Sequence, residues 1–103
     1  MLSKDQLDQI EEKYKRVAHL KGKGDPAPWE MVLRKPTRAE YKMFRSQTHN
    51  PAQVADAQEM LVRKLCVYPV DVDALIEEWP GIPEACGKAI QHLTGLETEE
   101  TGK

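Results

Sequence analysis

The chain has 103 residues, of which 40% are hydrophobic and 31% charged, with a formal net charge of -2. A chain of this length folds around one core that buries roughly two-thirds of its unfolded surface, and a second core does not fit. Its balance is too apolar for a disordered polymer, and no apolar run approaches the roughly 20 residues that cross a bilayer.

The opening Met1-Leu2-Ser3-Lys4-Asp5-Gln6 is too polar and acidic for a signal peptide, so a cytoplasmic location is expected. Only Cys66 and Cys86 are present, which gives no disulfide framework and reads as two reduced, buried thiols. Charge is unevenly placed: residues 1–28 carry six basic and five acidic groups, residues 29–68 seven and four, and residues 69–103 two and eight. The middle is therefore basic and the end acidic, a polarity that would let one copy pair with the next or be settled within one fold.

Along the chain, Ser3 and Gln6 have the form of a capping box, which predicts a helix of about 18 residues. Leu7, Ile10, Tyr14 and Val17 recur at three and four, making a narrow apolar stripe that must meet its own domain or a partner. Gly22-Lys23-Gly24-Asp25-Pro26-Ala27-Pro28 breaks that helix as a linker. Trp29 to Arg34 alternates, with Trp29, Met31 and Leu33 on one face, as in a half-buried strand.

Pro36 stops the strand, and Thr37 with Glu40 forms a second capping box for a helix to about Thr48, with Tyr41 and Phe44 inward. Asn50 as cap and Pro51 at the first position open a helix to Leu65 with Val54, Ala57, Leu61 and Leu65 on its apolar face. Cys66-Val67-Tyr68 is a brief β-favouring run, either a partner for the strand at 29–34 or an extended connector. Asp71 caps a short helix bearing Val72, Leu75, Ile76 and Trp79, ended by Pro80-Gly81; Ile82, Ala85, Ala89, Ile90 and Leu93 mark a last helix closed by Gly95. Trp29 and Trp79 both fall in apolar periods that place them in the core.

The expected architecture is mainly α: about five helices around one core, with one or two short β segments at 29–34 and, if it pairs, 66–68. It divides into an amphipathic N-terminal helix over 1–21, a Gly/Pro linker over 22–28, a compact mainly helical domain over 29–95 and a flexible acidic tail over 96–103.

No spacing of His19, His49 or His92 with cysteines or paired acids suits a metal, and no phosphate loop or nucleophile elbow is present, so neither a cofactor nor an enzyme is expected. The pairs Glu11-Glu12, Asp71/Asp73, Glu77-Glu78 and Glu99-Glu100 read as caps and solvated charge. The basic group Arg34, Lys35, Arg38, Lys42 and Arg45 is sharper. Arg38, Lys42, Arg45 and His49 recur at four, three and four, a stripe beside Tyr41 and Phe44 that suits an acidic partner segment or phosphates, or is a plain solvated face. The partner-binding candidates are Leu7, Ile10, Tyr14 and Val17 on the first helix, with Arg34, Arg38, Lys42 and Arg45. The helices at 37–48 and 51–65 have a helix-turn-helix arrangement, but the second carries only Arg63 and Lys64 near its end, which argues against DNA.

Trp29 to Pro36 followed by Thr37-Arg38-Ala39-Glu40-Tyr41 resembles the strand and helix start near the beginning of small phage tail-assembly chaperones. Leu61 to Pro69 is similar to their helix ending in an apolar run and proline, and Trp79-Pro80-Gly81 to their break before a final helix, here closed at Gly95. The resemblance covers about residues 29–95 and has no place for the first helix. It implies a non-enzymatic, non-virion protein of the host cytoplasm that binds the tape-measure protein, or tail-tube subunits, during tail assembly. The alternative is another protein-interaction adaptor, or a small helix-turn-helix-like DNA-binding regulator.

Overall fold

A computed structural model describes residues 2–96. In chain order the elements are α1 (Lys4–Tyr14), β1 (Val17–Lys21), β2 (Glu30–Arg34), α2 (Arg38–Gln47), a 3-10 turn (Pro51–Gln53), α3 (Val54–Leu65), β3 (Cys66–Tyr68), α4 (Val72–Glu78), α5 (Ile82–Ala85) and α6 (Gly87–Thr94). The fold is mainly helical with a small antiparallel sheet. No helix among the described residues is long and apolar enough to cross a membrane. Of the acidic tail expected at 96–103, residues 97–103 lie outside the described residues.

The sheet order is β1-β2-β3, with β2 in the middle. Val17 pairs with Arg34 and Lys21 with Glu30, while Val32 faces Tyr68 and Leu33 faces Cys66. One step along β2 matches two along β3, so Val67 is the extra residue of a bulge. Alternate side chains point to opposite faces. Met31 and Leu33, with Ala18, Leu20 and Cys66, face a core of Leu61, Val62, Leu65, Val72, Ile76, Ile82, Cys86, Ile90 and Leu93 from the later helices.

Glu30, Val32 and Arg34 face the other way, yet Val32 is fully buried. Helix α1 covers it: the Leu2 amide donates to Glu30 Oε1 at 3.1 Å at one end of β2, and Tyr14 lies near Arg34 at the other. The strand expected to be half-buried is therefore buried on both faces. On the α1 side Glu30 also takes a 2.6 Å hydrogen bond from His19, its diagonal neighbour across the sheet. Burial works against the Glu30 carboxylate, but the His19 bond, the Leu2 amide and the charges of His19 and Lys21 together lower its pKa.

The expected helix through residue 21 is corrected: α1 ends at Tyr14, and Val17 belongs to β1. The stripe Leu7, Ile10, Tyr14 and Val17 carries the helical period past the true end, and no glycine or proline interrupts it. What ends the helix is the ladder that residues 17–21 gain against β2, a contact distant in sequence. The turn is tight, with the Arg16 amide donating to Tyr14 O at 2.7 Å around Lys15 at φ 65°. Residues 22–28 are accordingly the loop of a hairpin and not a linker to a separate domain. Gly22 donates to Trp29 O at 2.9 Å, and a Cβ on Gly22 would stand 2.6 Å from Trp29 Nε1, so only glycine lets the indole close the loop.

Both capping boxes form as read: Ser3 with Gln6, and Thr37 with Glu40. Asn50 and Asp71 cap their helices through their side chains, and Gly95 closes α6 in the left-handed conformation. Two packing expectations are corrected. Trp79, expected in the core, is 37% exposed because α4 stops at Glu78 and the backbone ahead of Pro80 turns the indole outward. Val54 sits in the first turn of α3 at the edge of the core and is 38% exposed; Val62 is buried in its stead. The final helix divides at Cys86 into α5 and α6.

Lys15 occupies a γ-turn of the rare, strained hand, which glycine adopts without a Cβ clash. Lys15→Gly is expected to raise stability by about 0.5–1 kcal/mol, read as a higher urea midpoint at unchanged slope.

Candidate functional site

Helix α2 lies at the surface, as α1 does. None of its residues is buried, and its apolar side chains Tyr41 and Phe44, 6.2 Å apart between ring centroids, are half-covered. Its fixed point is electrostatic. Arg34, at the end of β2, donates from Nη1 and Nη2 to the two Glu40 carboxylate oxygens, each at 2.8 Å, and Nη2 also donates to Lys64 O at 3.1 Å. Glu40 accepts the Thr37 amide at 2.9 Å as well. One carboxylate thus caps α2 and ties it to the sheet and to the end of α3.

Two half-open grooves flank α2. Toward α3, Glu40, Met43, Phe44, Gln47, Ala57 and Met60 line a shallow seam where Met43 and Met60 remain 55% and 51% exposed. Toward α6, Tyr41, Phe44, Arg45, Gln58, Ile90 and Leu96 line the second. Between the grooves runs the outward stripe of Arg38, Lys42 and Arg45, all exposed. None of the three has a carboxylate within ion-pair distance among the described residues. An apolar strip beside uncompensated cations is suited to an acidic amphipathic segment.

The eight candidate residues fall into three groups. Arg38, Lys42 and Arg45 sit together on α2. Arg34 belongs to the same region but is engaged internally, so it orients the surface and is not a free contact. Leu7, Ile10 and Tyr14 are half-buried on α1, with Ile10 and Tyr14 lining a groove against Val67 and Tyr68; Val17 is half-buried in β1. The α1 stripe meets its own sheet.

Sequence reading missed Met43 and Met60. Their available signal was position: Met60 lies off the apolar face of Ala57, Leu61 and Leu65, and an apolar residue off the buried face is an exposed one. Among the described residues no three of His, Cys, Asp and Glu converge. Burial pushes the Cys66 thiol up to about 11 and the Cys86 thiol up to about 12.

These features define a class, a mainly helical domain whose three-stranded sheet is covered on both faces and whose α2 lies open at the surface. No family model and no curated protein matches the sequence. The fold is similar to the solved structure of an uncharacterised protein from Bacillus stearothermophilus, with a TM-score of 0.70 and 17% identity over 94% of this chain and 99% of that one. At that identity the likeness shows the fold alone.

The Arg34 hydrogen bonds hold the Glu40 carboxyl down from 4.5 to about 2 against the effect of its burial. The unfolded chain therefore binds more protons between those values, so the contribution of Glu40 is complete above about pH 4.5 and declines as the pH falls toward 2. Glu40→Gln should cost about 1–3 kcal/mol at neutral pH and flatten the loss of stability across that window, measured by urea denaturation at a series of pH values.

Proposed function

We propose that this chain is a non-enzymatic tail-assembly chaperone that holds an acidic, amphipathic segment of a tape-measure protein along α2. The observation that carries this reading is the Arg38, Lys42 and Arg45 stripe, without carboxylate partners, set between two apolar grooves. The resemblance over residues 29–95 supplies the client, and of the basic residues in its strand-to-helix entry, Arg34, Lys35 and Arg38, the last begins α2 and its stripe.

The magnitudes suit transient holding. Covering Met43 and Met60, each about half exposed, contributes about 1 kcal/mol apiece, since full burial of such a side chain contributes about 1.5–3 kcal/mol. Each rim ion pair adds about 0.2–1 kcal/mol. Against the cost of association these sums give modest, salt-sensitive affinity, with charge acting chiefly on the rate of encounter. A chaperone that must hand its client to a growing tail requires that kind of release.

Co-expression with a tape-measure protein encoded in the same genome tests the reading. The expected result is a soluble complex that co-purifies at low salt and is lost with the triple variant R38E/K42E/R45E, while the melting temperature of the variant stays near that of the parent because the three side chains are exposed and unpaired. A client that stays insoluble, or a complex indifferent to the triple variant, overturns it.

A further inference from the structure

A second apolar patch lies on the other side of α3 from α2. Pro51, Val54, Pro80 and Pro83 line it, and the exposed Trp79 precedes Pro80. Its charge is the opposite of that on α2: Glu84 stands in the patch, and Glu77 and Glu78 close α4 just before Trp79. These three carboxylates have no cation within ion-pair distance among the described residues. Gln58 joins the two surfaces. It lines both the α2–α6 groove and this patch, and its Nε2 donates to Pro83 O at 2.7 Å.

We propose that these two surfaces are covered by a second copy of this chain, paired about a two-fold axis near Gln58, with each Arg38, Lys42 and Arg45 stripe facing Glu77, Glu78 and Glu84 of the other copy. Two neighbouring patches of opposite sign are self-complementary under a two-fold rotation, because each makes the same contact twice and the pair closes without leaving a free end. Area sets what such a pairing requires. A stable interface covers about 800 Å² on each partner, close to a tenth of the 7460 Å² surface of this chain. The outer face of α2 alone, a ten-residue helix about 15 Å long and about 10 Å wide, falls short of that, so both patches must be engaged together.

Pairing would hide apolar surface of the α2–α6 groove and around Pro80 and Pro83 whenever no client is present, and a client bound on α2 would then compete with the second copy. The competition rests on the function proposed above; the pairing itself does not.

Sedimentation equilibrium of the full chain at low ionic strength reads the pairing. The wild type is expected to be a dimer that dissociates in about 1 M salt, where the screening length falls to about 3 Å. R38E/K42E/R45E and E77K/E78K/E84K are each expected to be monomeric, and their equimolar mixture to form a one-to-one dimer, because the reversed charges again face their opposites. Thermal melts of both variants check that the fold is retained, and the salt dependence of the wild type tests the proposal without any substitution. A wild type that stays monomeric at millimolar concentration, or a mixture that fails to pair although both variants melt like the parent, overturns the proposal. Loss of pairing with client capture intact removes the dimer and leaves the chaperone reading; a dimer that captures no client does the reverse.

Discussion

The fold depends on burying β2 on both faces at once. Met31, Val32 and Leu33 are adjacent in sequence and fully buried, so their side chains alternate between two dry environments. Each contributes about 1.5–3 kcal/mol of burial, but only if both faces are covered and the strand's amides and carbonyls are paired. The later helices cover one face, α1 covers the other, and β1 and β3 take up the backbone groups. Charged residues mark the two ends of the buried stretch, Glu30 held by His19 and the Leu2 amide, and Arg34 held by Glu40.

The exposure of α2 follows from that arrangement. With both sheet faces occupied, α2 can only lie across the outside of α3, joined to the sheet by one bidentate ion pair and to the core by the edge of Phe44. Its aromatic residues are half-covered, its neighbours Met43 and Met60 are open, and Arg38, Lys42 and Arg45 have no carboxylate within ion-pair distance among the described residues. A surface helix that is incompletely buried by its own domain is where a partner gains most, since it adds apolar contact without first displacing any. The Arg34–Glu40 pair keeps α2 in place while it does so, which separates the residues that build the surface from those that offer it.

Much of the helical layer was legible in the sequence because its signals are local. The capping boxes at Ser3/Gln6 and Thr37/Glu40, the Asn50-Pro51 start, the Asp71 cap and the Gly95 stop each act within a few residues, and the backbone obeys them. The stripe of Arg38, Lys42 and Arg45 was legible for the same reason, as a period on one helix. Arg34, grouped with it by sequence proximity, proved to be part of the frame, because the guanidinium reaches Glu40 across the turn between strand and helix.

By itself, then, the sequence determined where helices start and stop, which residues line most of their apolar faces, and that α2 carries a basic stripe. Only the tertiary structure decided that Val17–Lys21 is a strand, that Val32 is buried, that Trp79 is exposed and that Met43 and Met60 line one open seam. Those outcomes depend on partners far apart in the chain: residues 17–21 fit a helix until β2 offers them a ladder, and a side chain is exposed or buried according to which element arrives to cover it. A local pattern records the preferences of a segment, whereas the choice among them is made by distant contacts that form only when the whole chain folds.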